Sequence, residues 1–187
     1  MSEATLSQVE RRKRIHLEWV LPVLFRPRSA FQKIAEQTRA VWLTPMLILS
    51  LAILAQVLIA GPTKQAAAQS GAGALPQDFQ YYSPEQQAQF LQAQQATSSP
   101  VFIYAFPSIT GLAGVWVGWL LVSGLIHLVL TLLGGRGDMG AALNVVAWSG
   151  LPYAIRALVR GGYILAAHHL VTTPGLSGFV PQGQAYL

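Results

Sequence analysis

Arg156 and Arg160, with Tyr163 three residues further on, are the side chains whose type and spacing invite a chemical reading. At i, i+4 and i+7 they share one stripe of a helix. That helix is apolar, and a charge at the bilayer centre costs on the order of 3 kcal/mol or more. The stripe must therefore face a cavity, a partner, or the far interface by snorkelling. If the helix starts near Gly140, Arg156 lies roughly 24 Å along it, nearer the far side than the middle. All seven acidic residues lie outside the apolar segments. Counter-groups must then come from headgroups, water, backbone carbonyls or another chain, and Ser149, Pro152, Arg156, Arg160 and Tyr163 are expected to form a partner contact. His127 stands alone in an uncharged run, where a histidine is expected to bond a backbone carbonyl or a hydroxyl. The adjacent His168 and His169 point to different helix faces, against both ligating one metal. With no cysteine in the chain, a disulfide framework, a cysteine-ligated metal site and a cysteine nucleophile are excluded. There is no nucleophile with a base and no carboxylate pair in an apolar segment. Neither catalysis nor a metal nor a cofactor is expected.

The elements that must position this stripe are membrane helices. Val101 to Leu133 is an uninterrupted run of 33 residues without Asp, Glu, Lys or Arg. About 20 apolar residues cross a bilayer core ~30 Å thick. Pro107 and Gly111 should divide the run, leaving Leu112 to Leu133 as the main span. Only 10% of the 187 residues are charged, 52% are hydrophobic, and the mean hydropathy is +0.42, where a soluble domain has about a quarter charged. The net charge of +5 does not point to nucleic acid, because eight of the twelve basic residues lie in the first forty positions, beside the first apolar run.

Residues 1–40 read as cytoplasmic and interfacial. Arg11, Arg12, Lys13 and Arg14 precede IHLEWVLPVLF, a basic amphipathic stretch expected to lie on anionic lipid with Trp19 at headgroup depth. A second short helix should begin at Ser29 as N-cap, with Phe31, Ile34 and Ala35 on one face. Residues 41–60 form a first span, opened by Trp42 and closed by Gly61-Pro62. Residues 61–100 form an external loop rich in Gln and Ala, linker-like at first. A helix is expected over 84–97, with Ser83 as N-cap and Tyr81, Tyr82, Phe90 and Leu91 as anchors. Residues 101–133 are the long kinked span, and 134–140 are a cytoplasmic glycine turn without the ending of a P-loop. Residues 141–171 are a third segment broken at Gly150 and Pro152, where Asn144 and Ser149 can satisfy freed backbone groups. Residues 172–187 are an external tail or the start of further spans. Lysine and arginine outnumber eight to one before the first span relative to the loop after it, which places the N-terminus in the cytoplasm. In the main span Gly114 and Gly118, with Gly111 near, form the small-residue pattern of close helix packing. Packing on the chain's own neighbouring helix is expected over a homo-oligomer. Trp116 and Trp119 sit too deep for an aromatic belt and should meet a groove or a lipid tail.

Two motifs resemble the Yip domain family, membrane proteins named for yeast members that interact with Ypt/Rab GTPases. One is RPRSAFQKIAEQTRAVWLTPMLILSLAILA, with Pro27, Phe31 and Trp42-Leu43-Thr44-Pro45. The other is GGRGDMGAALNVVAWSGLPYAI, with Trp148, Ser149 and Pro152. The resemblance implies an all-α polytopic membrane protein. The resemblance is to a bacterial-type member; the family pattern has about five spans, so three apolar segments are expected to mean either a truncated chain or one that has lost the last two spans. It implies no catalytic residue. Eukaryotic members act in vesicle traffic, and bacterial members occur as accessory membrane subunits, some with ABC-type exporters. The expected function is thus a non-enzymatic accessory or scaffold subunit in a bacterial inner membrane, whose partners are other integral membrane subunits and anionic lipids. The alternative is a self-contained carrier for a small molecule or ion, with its cavity lined by the broken third segment, Arg156, Arg160 and His127.

Overall fold

The computed structural model describes residues 15–37, 39–69, 75–76, 78–167 and 170. Every regular element among them is helical. A 3-10 turn at Leu17–Trp19 leads into α1 (Val20–Phe25), followed by α2 (Pro27–Ala35), α3 (Leu43–Gln69), α4 (Pro84–Thr97), α5 (Phe106–Leu132), α6 (Met139–Ser149) and α7 (Leu151–Ala167). Three stretches are long and apolar enough to cross a membrane: Leu43–Ala68, Val101–Leu132 and Met139–Ala167. The protein is an all-α, polytopic membrane protein.

Local chemistry moves several boundaries from those expected. Gly61-Pro62 does not close the first span, because α3 runs through Pro62 to Gln69. Proline forfeits one amide donor there, and the Ala- and Gln-rich residues that follow are good helix formers. Gly61 is buried, and a Cβ on it would overlap the Tyr104 ring. A glycine is required for that ring to seat. Nor does Pro107 divide the long span. A π-helical turn at Val101–Ala105 precedes it, and Pro107 is the second residue of α5, where its missing amide costs little. Ser29 is not the N-cap of α2. The helix starts two residues earlier at Pro27 with Arg26 as cap, and the Ser29 hydroxyl instead donates to the Arg26 carbonyl at 3.1 Å.

Other ends are closed by their own residues. After α5, Gly134 adopts φ +82, with Gly135 N–H donating to Leu130 O at 2.9 Å and Gly134 N–H to Thr131 O at 3.0 Å. This pairing stops the helix at a left-handed glycine. Asp138 then caps α6 by accepting from Gly140 N–H at 3.1 Å. At α4, Ser83 and Gln86 form a reciprocal capping box. Its backbone amide and the Ser83 hydroxyl hold the Glu85 carboxyl below the usual carboxylate range. The helix rests on Phe79, whose ring lies 5.5 Å from Phe90 and 5.9 Å from Tyr82, while Tyr81 projects into the surroundings.

The chain divides into two compact units, Met1–Leu47 with Trp119–Leu151, and Ile48–Gly118 with Pro152–Leu187. The first holds every one of the largest fully buried side chains: Trp148, Ile34, Met46, Asn144, Thr44, Pro45 and Ser123. In it α2 packs on α6. In the second, Leu49, Ala52, Ala60, Ile103, Ala154 and Ile164 are buried.

Candidate functional site

The first unit is tied together by side-chain bonds to the backbone that leads into α3. Asn144, on α6, is completely buried. Its Oδ1 accepts from Val41 N–H at 2.9 Å, and its Nδ2 donates to Arg39 O at 2.8 Å. One turn on, Trp148 Nε1 donates to Val41 O at 3.1 Å. Both backbone groups of Val41 are thus satisfied from a helix more than a hundred residues away, at the point where the chain turns into its first span and has no helical partner for them. Thr44, in the first turn of α3, accepts from His16 N–H at 2.8 Å.

The break between α6 and α7 lies at Gly150, and Pro152 occupies the second position of α7. Ser149 serves that break locally by donating to Val146 O at 2.8 Å. Asn144 does not. It is committed to the lead-in of α3, one residue type shared between two segments that no local pattern connects.

The aromatic residues close this core. Trp19 lies 5.7 Å from Trp148 and 4.8 Å from His16, so it is held against the chain itself. Leu17, Leu21 and Phe25, at i, i+4 and i+8, remain exposed instead. They form the apolar stripe of the lead-in helices, with Arg26 and Arg28 beside it. Arg11, Arg12, Lys13 and Arg14 lie outside the described residues, as do His168 and His169. Trp119 packs at 4.8 Å on Trp42 and donates to Leu143 O at 2.9 Å. Trp116 donates to Ser50 Oγ at 3.2 Å. Both deep tryptophans are therefore occupied by the protein's own helices. His127 is half-buried on α5, and its carbonyl accepts the Thr131 hydroxyl at 2.8 Å.

The second unit contains the arginine stripe, and it faces cavities. One, of about 340 Å³, is lined by Ile53, Gln56, Val57, Ala60, Lys64, Arg160, Ile164 and Leu170. A second, of about 240 Å³, is lined by Arg156, Arg160 and Tyr153 of α7, by Leu49, Ile53 and Gln56 of α3, and by Val115. Arg160, Gln56 and Ile53 line both. Tyr163 packs at the edge of the Ala60–Ile164 contact. No acidic side chain lines either cavity among the described residues. Sequence spacing reveals the stripe, whereas Gln56 and Lys64 are found only once α3 lies alongside it.

The three glycines of the long span behave differently. A Cβ on Gly111 would press on the Ile53 methyl group, but one on Gly114 or Gly118 would meet nothing within 4 Å. The face of α5 that carries Gly114 and Gly118 is therefore open among the described residues, while Trp116 and Trp119 on the same helix are held by α3 and α6. Only 11% of the most apolar stretch of Val101–Leu132 is buried, against 33% for each of the other two.

A family model described as the Yip1 domain matches residues 21–186. No curated protein and no solved structure matches the chain.

Proposed function

We propose that this chain, which belongs to the Yip1 domain family, is a non-enzymatic integral membrane accessory or scaffold subunit that packs against other membrane proteins. The observation that carries this reading is the open face of α5. Gly114 and Gly118 stand one turn apart with nothing over them, on the least buried of the three candidate spans. Small residues allow a second helix backbone to approach closely, which is how membrane helices associate without a hydrophobic driving force between them. A bacterial inner-membrane exporter complex is one assembly that such a subunit would join.

Two leucines at these positions fill space the protein itself does not use. Gly114→Leu with Gly118→Leu should leave insertion and helix content unchanged and reduce stoichiometric co-purification of partner membrane proteins by tenfold or more. Full recovery of the partners with the double variant would overturn the docking face. The carrier reading draws its support from the cavities lined by Arg160, one of which Arg156 also lines, and it requires transport by the purified chain alone in vesicles.

The orientation follows from eight basic residues before the first span, against Lys64 near the far end of α3 and none between α3 and α5. The N-terminus faces the cytoplasm and the segment carrying α4 lies outside. Because the chain has no native cysteine, single Ser7→Cys and Gln80→Cys variants report this directly. A membrane-impermeant maleimide should label Gln80→Cys in intact cells and Ser7→Cys only after lysis; the reverse pattern would invert the topology.

A further inference from the structure

We infer that the cavities of the second unit hold the phosphate group of an anionic phospholipid. Three cationic side chains reach them from two helices: Lys64 from the far part of α3, Arg160 shared by both, and Arg156 one turn away on α7. Successive turns of a helix are about 5–6 Å apart, so Arg156 and Arg160 can address different oxygens of one group. Gln56, also shared, adds an amide donor. Against these stand no carboxylates among the described lining residues, and the remaining walls are apolar: Leu49, Ile53, Val57, Val115 and Ile164.

The occupant is identified by charge and by phase. Guanidinium groups bind phosphate oxygens through paired, charge-assisted hydrogen bonds, and keep their charge under all relevant conditions. A phosphodiester carries a full negative charge and is the anion a membrane supplies in quantity, joined to acyl chains that fit apolar walls. Basic pockets between membrane helices are suited to such headgroups. The larger cavity, about 340 Å³, falls within the ~300–1,000 Å³ of small-ligand sites. A lipid zwitterion is the poorer fit, because its own ammonium would enter a cavity that already carries two cations, Lys64 and Arg160 in one and Arg156 and Arg160 in the other. The site is independent of the glycine face of α5, and of the basic residues at positions 11–14.

The test uses the full chain, purified in mild detergent, depleted of lipid, and examined by native mass spectrometry. Dioleoyl phosphatidylglycerol, dioleoyl phosphatidylcholine and inorganic phosphate are supplied separately. The wild-type chain should retain one phosphatidylglycerol at least tenfold in preference to phosphatidylcholine. Lys64→Gln with Arg160→Gln should abolish that preference. Lys64→Gln alone, at an exposed position that does not threaten folding, should weaken it several-fold. Replacing Arg11, Arg12, Lys13 and Arg14 together by Gln should leave it intact. Equal retention of the two lipids, an unchanged preference in both Lys64 variants, or loss of preference only on removing residues 11–14 would each overturn the assignment. Displacement of the lipid by millimolar inorganic phosphate would make this a site for a free anion, and would overturn it as well.

Discussion

Trp148→Ala should lower the unfolding free energy by about 3–5 kcal/mol, the range for deleting a large buried aromatic. That is a large share of the roughly 5–15 kcal/mol that holds a domain together. The indole is fully buried, its ring supports Trp19, and its Nε1 satisfies the Val41 carbonyl. Removing it opens a void and frees the lead-in helices on one side. Trypsin should then cut after Arg28 and Lys33, both in α2, much faster than in the wild type. Trp148→Phe separates packing from hydrogen bonding, since it keeps most of the ring and strands one carbonyl, at about 1–3 kcal/mol. Unfolding in graded SDS, followed by far-UV circular dichroism, measures both. An alanine variant within 1 kcal/mol of wild type would show that this core does not depend on its largest member.

Asn144→Ala should come next in severity, at about 2–3 kcal/mol, from the 1–3 kcal/mol of a stranded buried polar group. The two groups it serves are not equivalent. Val41 is buried, so its amide would have no replacement partner, whereas Arg39 is exposed and its carbonyl can be rehydrated. Most of the loss therefore falls on the acceptor side of the amide. Polar contacts between membrane helices average only about 0.6 kcal/mol, because the unfolded chain finds other partners in the bilayer. A measured loss of that smaller size would mean that Val41 N–H is reached by water or a headgroup when Asn144 is gone.

The class of the fold is legible because its signals are local: uncharged runs of sufficient length, tryptophan at their ends, and glycine after them. Family membership is legible in the order of two motifs, and the structure supplies the physical link between them. Trp42 and Pro45 from one motif and Trp148 from the other belong to a single core, joined through Val41 and Asn144. What the chain does not announce is compensation at a distance. The cost of Pro62 is visible in the sequence, but the Tyr104 ring that packs at Gly61 is not. Asn144 reads as a local patch for the break at Gly150, and only the lead-in of α3 shows where its bonds go. A signal was present: Asn144 and Trp148 are four apart on one face of an apolar helix, and both need partners. The arginine stripe is similar, since its spacing is visible but the wall of α3 that turns it into a site is not.

The bonds from Asn144 and Trp148 to residues 39 and 41 span 103 to 107 positions of the chain, and synthesis gives that separation a duration. At roughly 5–20 residues per second, α3 emerges and inserts about 5–20 s before the helix that closes its lead-in exists. Through that interval Val41 N–H and C=O must be served by water or lipid headgroups, which requires the start of the first span to stay near the membrane surface. Seating it is among the last events of assembly, so a nascent chain stalled before residue 144 should present Arg26 and Arg28 as an unlatched arm.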